Sequence, residues 1–523
     1  MELGIRSTNR FLRDSSTLAA FSGLSVVFSL VADVILLARL GFEKSLDAYS
    51  VAYVIPSILM SATLVASNST LVPLFAQNLC DNSDKPQQDC DEFFSSIVSL
   101  SIILGIGIFL AGLIFSPMVI SLTAPGFDTQ TRESAIRLSR VLYAVTGLMV
   151  LNRVCASLFY AFQRFAIPSA LETVRTFSAV PIVLFLLPTL GVSAMVLGLA
   201  VGAFVQLLFL GIFVRRLGLV HYIPSISITK QVAKAGQTFW IPMIGLLLRH
   251  GTDIVERAFA SYMVLGSVTI VAYANRITMV LANVFLGSFV LGSLPGLSGY
   301  AAIGDWDTFA QALRRAIRSV ILVSSVLMVV VIVTAQPLVR FLTERADSNT
   351  VKLAQVLMIY TASLVFLGLS RIVQSYFYAT LRARWVLVLF LSFTSMTVLF
   401  DLVLVPLLQV YGLAVSFLLS AIIVSLIGVI LISRHTSRIN WKAMLSFGLR
   451  TMGTTALAIG ASSLVVYVLA AVTSINWLIV TAVCTLLSLV CYTVVADLLG
   501  IREVRDLIGY LKHLGHRKSQ ETI

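Results

Sequence analysis

The chain has 523 residues, of which 58% are hydrophobic and only 12% charged, with a mean hydropathy of +0.97. That composition excludes a soluble globular protein. The net charge of +13 lies in short loops between apolar runs, which fits the positive-inside rule of membrane proteins and argues against a nucleic-acid partner.

Apolar runs long enough to cross a bilayer recur along the whole length, so the expected fold is an all-α polytopic membrane protein. After a polar start holding Arg6, Arg10 and Arg13, the first span runs from about Thr17 to Leu40 and carries Asp33 and Arg39 in its second half. It begins late and continues as a full span, which reads as a membrane segment and not as a cleavable leader. The second span, 47–77, contains Pro56 and Pro73, where lost backbone bonds predict kinks. A polar loop over 78–92 precedes spans at 93–123, 134–163, 168–188 and 191–214.

Arg215, Arg216, His221, Lys230 and Lys234 then cluster around Pro224, and 215–235 reads as an interfacial linker. Six more spans are expected at 237–262, 267–300, 316–342, 351–380, 385–408 and 411–433, and two further ones at 450–472 and 475–498. A basic tail follows Leu499. Fourteen spans place both termini on one side, and the excess of Lys and Arg in the loops of that side makes it cytoplasmic. Of the five cysteines, Cys80 and Cys90 flank a loop assigned to that side, which argues against their pairing, and no metal or redox spacing is present.

The chain repeats itself. Val51-Ala52-Tyr53 recurs as Val271-Ala272-Tyr273, Phe159-Tyr160-Ala161 as Phe377-Tyr378-Ala379, and Gly198-Leu199-Ala200-Val201 as Gly412-Leu413-Ala414-Val415, at separations of 220, 218 and 214. Matches in one order at nearly one offset imply two pseudo-symmetric six-helix lobes, 1–217 and 218–440, with 441–523 holding two extra spans and the tail. An even number of spans per repeat makes the lobes parallel, a design that favours a central cavity opened alternately to each side.

Charge within the spans marks candidate functional residues, because one Asp, Lys or Arg at a lipid-facing helix centre costs about 2.5–3.5 kcal/mol. Between Phe239 and Arg276 the oily sequence carries Arg249, His250, Asp253, Glu256, Arg257 and Arg276. Arg249, Asp253, Glu256 and Arg257 fall within about 100° of arc on one helical face. Arg249–Asp253 and Asp253–Arg257 are i,i+4 pairs of opposite sign. These four either contact a substrate, carry a coupling ion, or neutralise one another. His250 alone carries no assignment. The matching first-lobe segment offers only Asp33 and Arg39, so the second lobe is expected to supply most of a cavity's positive charge. Asp33 is either a proton or sodium site or a helix-interface hydrogen bond. Arg39 reads as an interfacial, snorkelling side chain, and Asp47 as the N-cap of span two. Gly-x-Ser-x-Gly, Walker A and metal-spaced His or Cys sets are absent from the sequence, so an enzyme, an ATPase, a cofactor and a bound metal are not expected.

Several segments carry a family resemblance: Asp47-Ala48-Tyr49-Ser50-Val51-Ala52-Tyr53 with Pro56, Thr123-Ala124-Pro125-Gly126-Phe127, Arg164-Phe165-Ala166-Ile167-Pro168, Glu256 to Ser261, and Tyr273-Ala274-Asn275-Arg276. In these the chain resembles the MurJ (MviN) family, lipid II flippases of the superfamily that includes exporters of the MATE type and polysaccharide exporters. The resemblance implies a V-shaped bacterial inner-membrane flippase whose cargo is a polyprenyl-diphosphate-linked saccharide of peptidoglycan or envelope synthesis. By that resemblance Arg276 matches a cavity arginine, and Asp33 and Asp47 match acidic positions flanking the first span. Taken with the charge pattern, Arg276, Arg249, Arg257, Asp253 and Glu256 are the candidate substrate-binding set, and Asp33, Arg39 and Asp47 the candidate ion-coupling or gating set. A monovalent cation or proton, the bilayer and a monomeric state complete the expectation. The chain departs from the family pattern at Val26, Ala32 and Met60-Ser61, where cationic positions have become apolar or small. Two other classes stay open: a MATE-like cation-coupled exporter, and a non-transporting scaffold in envelope assembly.

Overall fold

Inside hydrocarbon every backbone N–H and C=O must be satisfied within the protein, which leaves helices as the economical solution for runs of this kind. A computed structural model of the chain describes residues 2–80, 86–222, 229, 232–233, 235–239, 246, 250–343, 347–382, 384–436, 439–472 and 477–498, and these contain helices and turns without strands. Twelve helices among the described residues are long and apolar enough to cross a membrane. Parts of the expected seventh span, 237–262, and side chains near the end of the thirteenth, 450–472, lie outside the described residues, as do Lys230, Lys234 and the basic tail.

In chain order the helices are α1 (Glu2–Leu40), α2 (Lys44–Ala52), α3 (Val54–Ala66), α4 (Val72–Cys80), α5 (Pro86–Thr123), α6 (Thr129–Ala161), α7 (Ala166–Leu190), α8 (Ser193–Arg216), α9 (Gly251–Ser261), α10 (Ser267–Leu281), α11 (Gly287–Ile303), α12 (Trp306–Thr343), α13 (Ser348–Ala362), α14 (Leu364–Ala379), α15 (Arg384–Leu408), α16 (Val410–His435), α17 (Trp441–Val472) and α18 (Trp477–Leu498). Span two is broken, as its prolines predict, into α2, α3, a π-helical stretch Ser67–Leu71 and α4. Pro73 has no N–H to return to the turn before it, which explains the irregularity at 67–71. A second π-helical stretch, Ala282–Leu286, has no proline beside it, so proline is not the general cause.

The internal repeat is visible in the elements themselves. Helices α5 and α12 both have 38 residues and start 220 apart, and α7 and α15 both have 25 and start 218 apart. The turns before α7 and α15 use a left-handed residue at equivalent positions, Gln163 at φ 56° and Leu381 at φ 57°. The two π-helical stretches start 215 residues apart.

The chain divides into two compact units, Met1–Thr269 and Ile270–Ile523. In the first, α1 runs along α7, α7 along α8, and α6 packs against α2, α3, α5 and α8; α9 touches α3 and α5. Phe75, Phe93, Phe94 and Phe159 form the centre of an aromatic cluster that also takes in Leu219 and Val220 just after α8. That part of the expected linker is therefore packed and not free-running: the His221 amide donates to Asp91 Oδ1 at 2.9 Å. Cys90 is buried as a free thiol. In the second unit α12 is the central post, packing against α11, α13, α14, α17 and α18. The Arg318 guanidinium on α12 lies 5.1 Å from the Phe447 ring centre on α17.

One side of each outer helix stays oily and exposed. On α5, Ile103, Ile106, Leu110 and Ile114 are all more than half exposed and spaced three, four and four residues apart, a stripe that suits acyl chains. Many buried hydroxyls return to their own helix: Thr146 donates to the Leu142 carbonyl at 2.9 Å and Ser324 to that of Val320 at 2.6 Å.

With lipid outside, burying an apolar side chain brings close packing more than escape from water, so helix approach depends on small residues. The α5–α6 contact shows this. A methyl group on Gly147 would stand 2.6 Å from the Gly105 carbonyl oxygen, and one on Gly105 would stand 2.9 Å from that of Gly147. Gly147→Val is expected to lower unfolding stability by about 1–3 kcal/mol through overpacking. Gly107→Ala, whose new methyl group would meet nothing within 4 Å, should leave the thermal midpoint of the purified protein at or above its starting value.

Candidate functional site

Asp47 lies within the first turn of α2, four residues past the N-cap Glu43, and is 4% exposed. It does not cap its own helix. Its Oδ2 accepts the Gly266 amide at 2.8 Å, and its Oδ1 accepts the Thr269 amide at 2.8 Å and the Thr269 hydroxyl at 2.6 Å. The expectation of an N-cap for span two is thus corrected: Asp47 caps the start of α10, 220 residues downstream. The physical reason is register, since a carboxylate inside a helix cannot reach back to its own unpaired amides but can meet another helix end pointed at it. Gly266 has φ 87°, a left-handed conformation suited to glycine, which aims its amide at the carboxylate.

Neighbouring loops join the same layer. The Gly126 amide donates to Ser261 Oγ at 3.0 Å, and a methyl group on Gly126 would stand 2.5 Å from the Ser261 carbonyl oxygen. Lys44 Nζ is 3.2 Å from Asp128 Oδ2, and Thr131 donates to Asp128 Oδ1 at 2.5 Å. The Thr131 bond, with Lys44 beside it, holds the Asp128 carboxyl below the usual carboxylate range. This contribution is present above the unfolded value and is lost as pH falls through the folded one. Both partners of the ion pair are about half exposed, so solvent screens it and Asp47 is the stronger tie. A cavity of about 480 Å³ lies among Glu43, Lys44, Ser45, Gln130, Thr131, Ser134 and Leu265.

The sequence-selected charges are placed as follows. Glu256 and Arg257 are buried on α9, at 0% and 8% exposure, and Arg257 is within electrostatic reach of Asp47. Asp253, on the same helix, takes a hydrogen bond from His250 Nδ1 at 2.7 Å, a partner left unassigned from sequence. Arg249 lies outside the described residues. Asp33 is buried on α1 and Arg39 is exposed near its end. Arg276 is half-buried on α10, in the second unit, beside the buried Asn275.

The first unit holds a further ionic cluster that the sequence analysis did not single out. On α6, Arg153 makes a two-pronged bond to Glu172 of α7, Nη1 to Oε2 at 2.9 Å and Nη2 to Oε1 at 3.2 Å. Arg175, one turn along α7, donates Nη2 to Glu172 Oε1 at 2.6 Å, and Gln206 Nε2 of α8 reaches Oε2 at 3.3 Å. Spans four and five thus bring two arginines of the first lobe onto one carboxylate. The signal was available: single charges in spans 134–163 and 168–188 are as costly as those near Arg249. Asp401, fully buried on α15, was overlooked in the same way. Met60, at a position where the family pattern leads one to expect a cation, packs against Val145, Met149 and Ala203. Among the described residues, no group of His, Cys, Asp and Glu could hold a metal ion.

Twelve long apolar helices among the described residues, arranged as a repeat and with ionic groups buried between them, define a polytopic all-α membrane protein. Solved structures share this fold. The chain resembles the lipid II flippase MurJ in an inward closed conformation at TM-score 0.76 and 19% identity, covering 94% of this chain and 99% of that one. It also resembles a MATE family multidrug resistance transporter of the MOP superfamily in an inward-facing conformation, at TM-score 0.65 and 18% identity over 77% of this chain and 92% of that one. The family model described as lipid II flippase MurJ matches residues 37–488, and the chain belongs to that family. Among relatives, the probable lipid II flippase MurJ of Treponema pallidum is 24% identical over 80% of each chain. That of Bdellovibrio bacteriovorus is 20% identical over 83% of this chain and 84% of its own.

Asp47→Ala should remove the cap on α10 and lower stability by about 0.5–2 kcal/mol. Asp47→Asn, which keeps one acceptor, should fall between, as read from thermal unfolding of the purified proteins. An unchanged midpoint in Asp47→Ala would show that the cap contributes nothing to the folded state.

Proposed function

We propose that the protein is a flippase that carries lipid II, or a related polyprenyl-diphosphate-linked saccharide, from the cytoplasmic to the periplasmic leaflet of the bacterial inner membrane, for peptidoglycan or envelope polysaccharide synthesis. The observation that carries this reading is the family match through residues 37–488, which spans both halves of the repeat. Alternating access suits a duplicated design, with the lobes at 1–217 and 218–440 and both termini cytoplasmic. The absence of nucleotide-binding motifs from the sequence leaves the membrane potential or a gradient of protons or a monovalent cation as the driving force, and the protein works as a monomer.

In this reading Arg276 binds the diphosphate, since a planar guanidinium presents paired donors to phosphoryl oxygens. Arg249, Arg257, Asp253 and Glu256 add contacts to the head group. Asp33 serves ion coupling, Arg39 anchors the end of span one at the interface, and Asp47 acts as a gate, because its bonds to Gly266 and Thr269 must break if the loops around it separate. A MATE-like exporter of cations would place carboxylates in excess where cargo binds, and the Arg153, Glu172 and Arg175 group runs the other way.

Arg276→Ala is expected to abolish rescue of a flippase-depleted strain while the variant still inserts in the membrane at wild-type level; full rescue would remove Arg276 from the mechanism. Native mass spectrometry of the purified protein should find a co-purifying polyprenyl-diphosphate lipid. A cationic dye that binds in competition with protons, with no effect on cell-wall precursors, would favour the exporter instead.

A further inference from the structure

The cluster on α6, α7 and α8 has more positive charge than it needs. Glu172 is one carboxylate, and Arg153 alone engages both of its oxygens, at 2.9 and 3.2 Å. Arg175 adds a second guanidinium at 2.6 Å, leaving the group at a net charge of +1. A structural ion pair between helices calls for one cation per anion, because a surplus charge in an apolar setting is a standing cost. Donors are also left over: Nε of Arg153 and Nε of Arg175 are buried without an acceptor. Gln206, 1% exposed, keeps its Oε1 without a donor.

The place is reachable. Side chains of Arg153, Arg175 and Glu172 are 11%, 15% and 24% exposed. Helices α6 and α7 each pack extensively on α8 but scarcely on each other, so the ion group bridges a gap between two helices held apart. Arg153 stands eight residues before the end of α6, and Glu172 and Arg175 six and nine residues into α7. At 1.5 Å per residue the group lies roughly 9–13 Å along the helices from the turn that joins them.

We propose that Arg153 and Arg175 form an anion site for phosphoryl oxygens, in which Glu172 is a resident stand-in that an incoming diphosphate displaces. With no ligand bound, Glu172 neutralises one arginine and keeps the pair aimed at a common point. An arriving diphosphate supplies several acceptor oxygens and more than one negative charge, so it satisfies both guanidinium groups together, and Glu172 withdraws toward Gln206. On release the carboxylate returns, which keeps binding weak enough for the ligand to leave. This rests on the flippase reading for the identity of the ligand, but its residues are separate from those assigned there.

The test is calorimetric titration of the full-length protein in detergent with farnesyl diphosphate and, separately, inorganic pyrophosphate. Glu172→Gln raises the net charge by one and removes the competitor, so affinity should rise about tenfold, while Arg153→Gln and Arg175→Gln should each lower it about tenfold or more, the worth of a hydrogen bond to a charged group. Glu172→Asp should restore near-wild-type binding. Response to both ligands would mean that the diphosphate alone is recognised, and response to farnesyl diphosphate alone that a lipid-linked one is required; either supports the site. A Glu172→Gln protein that unfolds at lower temperature and gains no affinity would overturn the proposal and leave a structural ion pair. Diphosphate binding that Arg276→Ala removes but the Arg153 and Arg175 variants leave untouched would overturn the site and keep the flippase reading. Binding to no form, wild type included, would overturn both.

Discussion

Charge that has to exist inside an oily protein shapes most of what is particular about this chain. Backbone groups solve the problem by forming helices, and many buried hydroxyls by returning to the carbonyl four residues back, as Thr146 and Ser324 do. Carboxylates and guanidinium groups cannot solve it alone. Two of them show how particular neighbours take up the charge. Asp47 has found two backbone amides and a hydroxyl, and Glu172 has found two arginines and an amide.

The two solutions differ in what they allow. A carboxylate on the amides at a helix start has three short bonds, and two of its partners are backbone amides fixed by the helix they begin. It behaves as a fastening. A carboxylate shared between two arginine side chains has side-chain partners with donors to spare, and exchange for another anion would break no helix. One arrangement favours a few well-defined states of the loops around it; the other favours traffic.

The fold was legible in the sequence because lipid imposes a simple rule on length and polarity. Span edges at α7, α8, α15 and α16 fall within a few residues of the expected ones, and the repeated triplets anticipated the matched helices α5 and α12. The site was legible only in part. Asp253 and Glu256 stood out because they crowd one short stretch, whereas Arg153, Glu172 and Asp401 are scattered singly through long apolar runs and become a cluster, or a buried group, only when helices distant in sequence are brought together. Asp47 shows the opposite failure. Its helix-start position suggested a local cap, and local rules cannot tell that a helix 220 residues later offers better-placed amides. The family resemblance implies missing cations at Val26, Ala32 and Met60, whereas Arg153 and Arg175 become visible as a pair only once α6 and α7 are placed side by side on Glu172.

The π-helical stretches at Ser67–Leu71 and Ala282–Leu286 have a bearing on which way side chains look. A π turn holds one residue more than an α turn, so the helix beyond it is rotated by about 100° from where a continuous α-helix would have put it. In the first half that rotation decides that Phe75 meets Phe93 and Phe94 while other residues of α4 look outward. The extra residue acts as a phase setting: losing it would barely shorten the span, yet it would swing the aromatic cluster's anchor toward the acyl chains.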